Sequence, residues 1–233
     1  MSGSSLDALL LTHAVLAGLT RLLPLPFLDD VLRDILLRRM VDGIAQRHGH
    51  RLAREELAAV SGVDEGGLLR SAARAAMLAP LRWLSRTLLL FLAWKRSIDL
   101  ISRTYHLGWL VDHAFERGAL PAGDPTRAAE VRAAIEAASR DVPVTPVQFA
   151  FHEALAGSLQ AFRRGATLLA RAWRRVPRAE RGAGRAAALV EEAVLREGAE
   201  MPGIVDRLQA ALGSVPESHF ASLGAALDSR LPR

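Results

Sequence analysis

The chain of 233 residues contains no cysteine and a single lysine, Lys95. Without cysteine it can form no disulfide, thiolate nucleophile or Cys-based zinc site, so a metal site would have to use histidine and carboxylates. The other 29 of its 30 basic residues are arginines, and this bias, with abundant alanine, points to a GC-rich bacterial genome. The net charge of +5 is a modest excess, smaller than dedicated nucleic-acid binding proteins usually carry.

Aromatic residues are also scarce, at 5% of a chain that is 50% hydrophobic. The apolar content is therefore mainly leucine, alanine and valine, a mixture that favours helices over strands. No segment shows the alternating pattern of a half-buried strand. We predict an all-α fold, a multi-helix bundle of about 7 to 9 helices with no significant sheet.

The sequence lacks an uncharged apolar run of about 20 residues, the length that spans a membrane. The most apolar stretch, residues 8–28, contains Arg21 and is interrupted by Pro24 and Pro26. The N-terminal segment MSGSSLDALLL has no basic region of the kind that begins a secretory signal. We expect a protein that is not secreted and lies in the cytoplasm or at the cytoplasmic side of an inner membrane.

Residues 5–22 predict a helix that is apolar on nearly every side, which must be buried either in protein or in lipid. Pro24 and Pro26 end this helix, and an amphipathic helix begins close behind them. Pro24, Pro26, Asp29 and Asp30 then form a structural corner between the two helices. Because each proline fixes its own φ and pushes the residue before it towards extended geometry, the corner is predicted from local sequence alone.

The acidic residues after this corner allow two interpretations. A carboxylate pair could transfer protons, because a neighbouring charge raises one of the two pKa values. The spacing favours instead helix-start chemistry, with Asp29 paired to Arg33 and Asp34 paired to Arg38 one turn on. Acidic residues at a helix N-terminus are also stabilised by the helix dipole.

The segment RGALPAGDPTR combines glycine, proline and aspartate and predicts a linker at residues 118–125. Asp124 followed by Pro125 is a typical helix start. The linker divides an apolar N-terminal helical region, residues 1–117, from a C-terminal helical region, residues 126–233. The two regions could equally form one continuous domain.

Two long helices are predicted from apolar spacing. The first covers about residues 84–115, with a packing seam that includes Trp94, Ile98 and Ile101. The second starts with Thr145 as cap and Pro146 in its first turn. It continues through the heptad positions Leu155, Leu159, Phe162, Ala166, Leu169, Trp173 and Val176.

Histidine and carboxylate residues are the only candidates for catalysis or metal binding. His48, His50, Glu55 and Glu56 in RHGHRLAREE are candidate metal ligands, although an exposed helix terminus also explains these histidines. His106 and His113, seven residues apart on one helix, suit buried hydrogen-bonded roles better than ligation. No phosphate-binding loop, nucleophile elbow, dinucleotide fingerprint or complete zinc-protease motif occurs. We therefore predict no catalytic residue and no cofactor.

Residues 163–185 carry eight arginines and one acid, Glu180. With the heptad pattern this resembles a basic amphipathic helix, which binds anionic lipid by charge and apolar insertion. A solvated helix face is the alternative, and nucleic acid is the third, disfavoured because aromatic residues are not interleaved with the basic ones. The predicted membrane or partner contacts are Leu22, Leu23, Phe27, Arg163, Arg164, Arg171, Trp173, Arg174 and Arg175.

The N-terminal motifs AVLAGLTRLL, PLPFLDD and RRMVDGIAQRHG resemble the YcjF-like and EcsC-like bacterial families over about residues 14–50. In those families an apolar helix meets a proline corner and an amphipathic helix that ends in Tyr-Gly, where this chain has His48-Gly49. The resemblance implies a helical, membrane-associated accessory protein, sometimes encoded beside or fused to a GTPase. This chain has no GTPase motif of its own.

The leading hypothesis is a noncatalytic, membrane-associated accessory or interaction protein of a bacterial inner membrane. Its partners would be the anionic membrane surface, a protein, or both, including a GTPase encoded nearby. The alternative is a helical protein-interaction or scaffold module, and the third hypothesis is a His/carboxylate metal-binding enzyme. Whether the first helix packs against protein or lipid distinguishes the first two.

Overall fold

The computed structural model describes residues 3–23, 28–62, 86–120, 123–177, 184–198 and 200–232. Within these ranges the chain forms ten α-helices and no strand, so the all-α prediction is confirmed and the predicted helix count was too low. The helices are α1 (Gly3–Thr20), α2 (Leu28–Arg47), α3 (Arg54–Ser61), α4 (Arg86–Glu116), α5 (Pro125–Asp141), α6 (Thr145–Ala154), α7 (Leu159–Arg175), α8 (Gly184–Glu197), α9 (Met201–Leu212) and α10 (Glu217–Asp228).

The count differs because one predicted long helix is two helices. α6 ends at Ala154 and α7 begins at Leu159, separated by a turn in which Gly157 has a φ of 76°. That conformation suits glycine and ends a right-handed helix. Leu155 lies in the turn but is fully buried, so the apolar pattern runs through the break without interruption. A separate α9, with proline at the start of the helix, was also not predicted.

The apolar helix α1 lies at the centre of the protein core. From Leu10 to Thr20 every residue except Thr12 is buried. α1 packs mainly on α4 and α2 and also contacts α7 and α9. In this fold α1 is therefore buried against other helices of the same chain. Among the described helices, none has the length and apolar character needed to cross a membrane.

α1 and α4 approach each other closely at Gly18. A hydrogen bond of 2.8 Å from the Ser97 hydroxyl to the Gly18 carbonyl joins the two backbones there. The predicted seam on α4 is confirmed, since Trp94, Ile98 and Ile101 are all buried. One hydrophobic core cluster includes residues on both sides of the predicted linker. The predicted cap at Asp124 is also confirmed, because its carboxylate accepts the Arg127 amide at 2.9 Å.

Candidate functional site

α7 has an apolar face in the core and an arginine-rich face at the surface. Its buried residues are Phe162, Gly165, Ala166, Leu169, Ala172 and Trp173. Phe162 packs edge-on against Trp94 of α4, with ring centroids 4.9 Å apart, and this contact turns the apolar face of α7 towards the core. Trp173, predicted as a contact residue, is only 8% exposed and belongs to the core. The apolar side of this amphipathic helix is thus occupied by protein.

A groove of about 700 Å³ lies between α7 and the turn that follows α1. Its lining residues are Leu22, Gln160, Arg163, Arg164, Ala166, Thr167, Ala170, Arg171 and Arg174. At 1.5 Å of rise per residue, the arginines extend over roughly 16 Å of helix. The groove brings together five of the predicted contact residues, one of them, Leu22, from a different part of the chain. Arg175 is exposed outside the groove lining, Leu23 is half-buried, and Phe27 lies outside the described residues.

The charge of this groove is mostly uncompensated. α7 contains five arginines and no acidic residue. Arg164 donates from Nε to Glu200 Oε2 at 3.1 Å, so its charge is partly neutralised. Arg163, Arg171 and Arg174 have no ion-pair partner among the residues that the structure describes. Guanidinium groups clustered in a recess attract anions, and their planar shape suits carboxylate or phosphate.

Ion pairs close the corner between α1 and α2. Arg21, just after α1, lies 3.2 Å from Asp29 Oδ2 in the first turn of α2. Arg33 contacts Asp30 at 3.3 Å and Asp34 at 3.0 Å. Burial raises the pKa of Asp34, although Arg33 opposes the shift. All five charged residues of this network are therefore engaged in joining or stabilising the helices.

These pairs are not the ones predicted from helical spacing. Asp29 pairs with Arg21 across the corner instead of with Arg33, and Asp34 pairs with its neighbour Arg33 instead of with Arg38. Asp29 and Asp30 both contact arginines, and Arg21 reaches them from the end of α1. Pro24 and Pro26 lie outside the described residues.

The candidate metal ligands His48 and His50 both stack on Phe115 of α4. Their ring centroids lie 5.4 and 5.5 Å from that of Phe115. His48 Nε2 is 2.8 Å from Asp112 Oδ1, so this nitrogen already has a partner. Within the described ranges no group of three or more metal-binding side chains converges. These histidines instead fasten the end of α2 to α4.

Two other histidines meet between α4 and α10. His106 and His219 have ring centroids 5.7 Å apart, and the Nε2 atom of each is buried without a hydrogen-bond partner. The expected hydrogen-bonded role thus fits His113, whose Nε2 lies 2.9 Å from Asp228, better than His106. Burial, followed by the repulsion from His219, lowers the pKa of His106 to about 4.

This pair predicts a loss of stability in acid. An unfolded chain binds a proton at the ordinary histidine pKa of 6.5, whereas folded His106 resists protonation until about pH 4. The contribution is therefore present above pH 6.5 and is lost as the pH falls towards 4. We expect His106 alone to account for about 2 kcal/mol of lost unfolding free energy by about pH 4.5.

Urea unfolding at several pH values measures this loss. Carboxylates also titrate in this range, so the informative quantity is the unfolding free energy of the wild type minus that of His106→Leu, which should fall by about 2 kcal/mol between pH 7 and about pH 4.5. The exposed residue His152 supplies the control substitution, His152→Gln, which removes an imidazole that is not buried. A pH-independent difference between wild type and His106→Leu would contradict the prediction.

His13 and Glu191 are residues of interest that no sequence motif indicated. His13 lies on the otherwise apolar α1, and Glu191 lies on α8, yet the structure places them 3.7 Å apart. The sequence offered one hint of a special role for His13: it is a single histidine in a helix, with no charged residue within five positions on either side. Glu191, by contrast, looks like any other acidic residue of an alanine-rich helix.

Comparison of the chain with family models, with curated proteins and with solved structures finds no match. The likeness of residues 14–50 to YcjF-like and EcsC-like proteins therefore stays a prediction. The same holds for the bacterial inner membrane as location and for a GTPase as neighbour.

Proposed function

We propose that this chain is a noncatalytic helical interaction protein whose α7 groove binds an acidic segment of a partner protein. The observation that carries the proposal is the recess lined by Arg163, Arg171 and Arg174, whose charges are not balanced by the described residues. Arginine forms two parallel hydrogen bonds with a carboxylate, so a row of arginines selects a row of acidic side chains.

A recess suits an extended segment of a partner protein better than a flat partner surface. The lining also includes Leu22, Ala166 and Ala170, which add apolar surface to the recess. A partner with acidic residues on both sides of an apolar one would match this arrangement. In such a complex the fit of the segment in the recess would determine specificity, and electrostatic attraction would raise the association rate.

An anionic membrane surface is the second candidate, favoured by the five arginines of α7. Each basic residue near an anionic bilayer contributes about 1 kcal/mol. Helices that lie on membranes also insert an apolar face, however, and α7 uses its own face for Phe162, Leu169 and Trp173 in the core. The exposed residues of α7 are all polar, so only their charge could attach the helix to a bilayer.

A labelled acidic peptide containing alternating glutamate and leucine tests the proposal by fluorescence anisotropy. We expect binding at low salt that weakens as ionic strength rises. Arg171→Gln combined with Arg174→Gln should reduce affinity by about tenfold or more, since two charge-assisted contacts are lost. Arg175→Gln is the matched control on the same helix, and it should change affinity by less than about threefold because Arg175 is exposed outside the groove lining.

Flotation with phosphatidylglycerol vesicles separates the two candidates. Suppose that the wild-type protein floats with the vesicles, that the Arg171→Gln, Arg174→Gln variant does not, and that the peptide does not bind. The membrane is then the better-supported candidate. If neither probe binds at low salt, or if Arg175→Gln weakens binding as much as the double variant, the groove is not the binding site.

A further inference from the structure

The imidazole of His13 lines a second cavity, and one of its nitrogen atoms has no hydrogen-bond partner. His13 is 5% exposed, and its Nδ1 lies 2.9 Å from the Leu9 carbonyl oxygen. A carbonyl only accepts, so Nδ1 carries the proton and donates, which leaves Nε2 as an unprotonated acceptor. Burial lowers the pKa of His13, although the nearby carboxylate of Glu191 opposes this shift. Nε2 is buried and has no hydrogen-bond partner.

The group facing this nitrogen is another acceptor. Glu191 Oε2 lies 3.7 Å from His13 Nε2. A carboxylate and an unprotonated imidazole nitrogen cannot hydrogen-bond to each other, so a donor placed between them would satisfy both. Leaving a buried acceptor unsatisfied costs about 1 to 3 kcal/mol, which such a donor would recover.

Cationic donors lie at the same cavity. It has a volume of about 550 Å³ and is lined by Ala8, Leu9, Thr12, His13, Arg39, Gly43, Gln46, Arg47 and Glu191. Arg39 is 3.5 Å from Glu191 and 3.6 Å from Asp42, contacts too long to be good hydrogen bonds. Its guanidinium group can therefore also bind a ligand anion. The volume is within the range of ordinary small-molecule sites.

We propose that this cavity binds a small organic acid that carries an amine or hydroxyl group next to its carboxylate. An amine would donate to both His13 Nε2 and Glu191, whereas a hydroxyl, with its single hydrogen, would donate to one of them. The carboxylate would pair with Arg39. A metal cation is disfavoured because Arg39 lies 3.5 Å from the same carboxylate oxygen of Glu191. The site shares no residue with the α7 groove, so it does not depend on the function proposed above.

Calorimetry and histidine-labelled NMR of the full chain test this site with the common L-amino acids and with lactate and malate as probes. At least one probe should bind saturably and shift the Nε2 resonance of His13. Glu191→Gln and Arg39→Gln should each weaken binding by about tenfold or more. Neither substitution removes a buried apolar side chain, so both variants are expected to fold.

The adjacent residue on α8 supplies the matched control. Glu192 is 70% exposed and pairs with Arg196 at 3.9 Å, away from the cavity lining. Glu192→Gln should leave affinity within about twofold of wild type. The proposal is overturned if no probe shifts His13 at millimolar concentration or if Glu191→Gln binds as wild type does. Equal binding of acetate, which has no donor group, would overturn it as well.

Discussion

Replacing Glu56 with alanine is expected to lower the free energy of unfolding by about 3 kcal/mol. Glu56 is 1% exposed, and its carboxylate accepts three backbone amides: Ala53 at 2.6 Å, Gly123 at 2.7 Å and Asp124 at 3.0 Å. Hydrogen bonds to a charged group contribute about 1.5 to 3 kcal/mol each. The amide-bearing residues are themselves exposed, so water would replace part of what is lost.

Urea unfolding monitored by circular dichroism measures the loss, and Glu55→Ala is its control. Glu55 precedes Glu56 in the first turn of α3 but is exposed, so its removal should change stability by less than about 0.5 kcal/mol. The stability of Glu56→Gln should lie between those of Glu55→Ala and Glu56→Ala. Its amide oxygen can still accept a hydrogen bond, whereas its amide nitrogen, itself a donor, would face backbone donors. Equal stability of Glu55→Ala and Glu56→Ala would show that the three bonds contribute nothing.

Glu56 also illustrates what sequence could not provide. Its position next to His48 and His50 suggested a metal ligand, whereas its carboxylate joins α3 to the segment before α5. Two of its bonds reach 67 and 68 residues along the chain. No periodicity or motif describes such a contact, because only the packing of α3 on α5 brings the groups together. The cap at Asp124 was predictable because its partner is three residues away.

The same distinction explains the candidate groove. The arginines of α7 were visible in the sequence, and their helical spacing predicted a common face. The recess was not predictable, because its opposite wall includes Leu22, which comes from the turn after α1. Heptad spacing could not show whether Trp173 faces a partner or the core, since both surfaces select the same residue types. Tertiary packing decided that question and left only the polar face of α7 at the surface.

Gly18→Leu is expected to cost more than about 3 kcal/mol of unfolding free energy, because α1 and α4 touch there. A Cβ atom at Gly18 would lie 2.4 Å from Ile101 Cγ1 and 3.2 Å from the Ser97 carbonyl oxygen. Ile101 is itself fully buried, so it has no free space into which it can move. Gly203 is the control: it lies in α9 with nothing near its Cβ position, and Gly203→Leu should be neutral or stabilising.

The size of the loss, measured by urea unfolding, also tests where α1 resides. Fluid lipid would accommodate a leucine at this position, whereas a packed helix interface cannot. Adding Ile101→Ala to Gly18→Leu should recover part of the stability, because removing the isoleucine side chain creates room for the leucine. Ile101→Ala alone should destabilise by about 2 to 5 kcal/mol, so a double variant that is less destabilised than the sum of the two single variants identifies direct contact. Strict additivity, or a loss at Gly18 no larger than at Gly203, would mean that α1 is not held against α4 in solution.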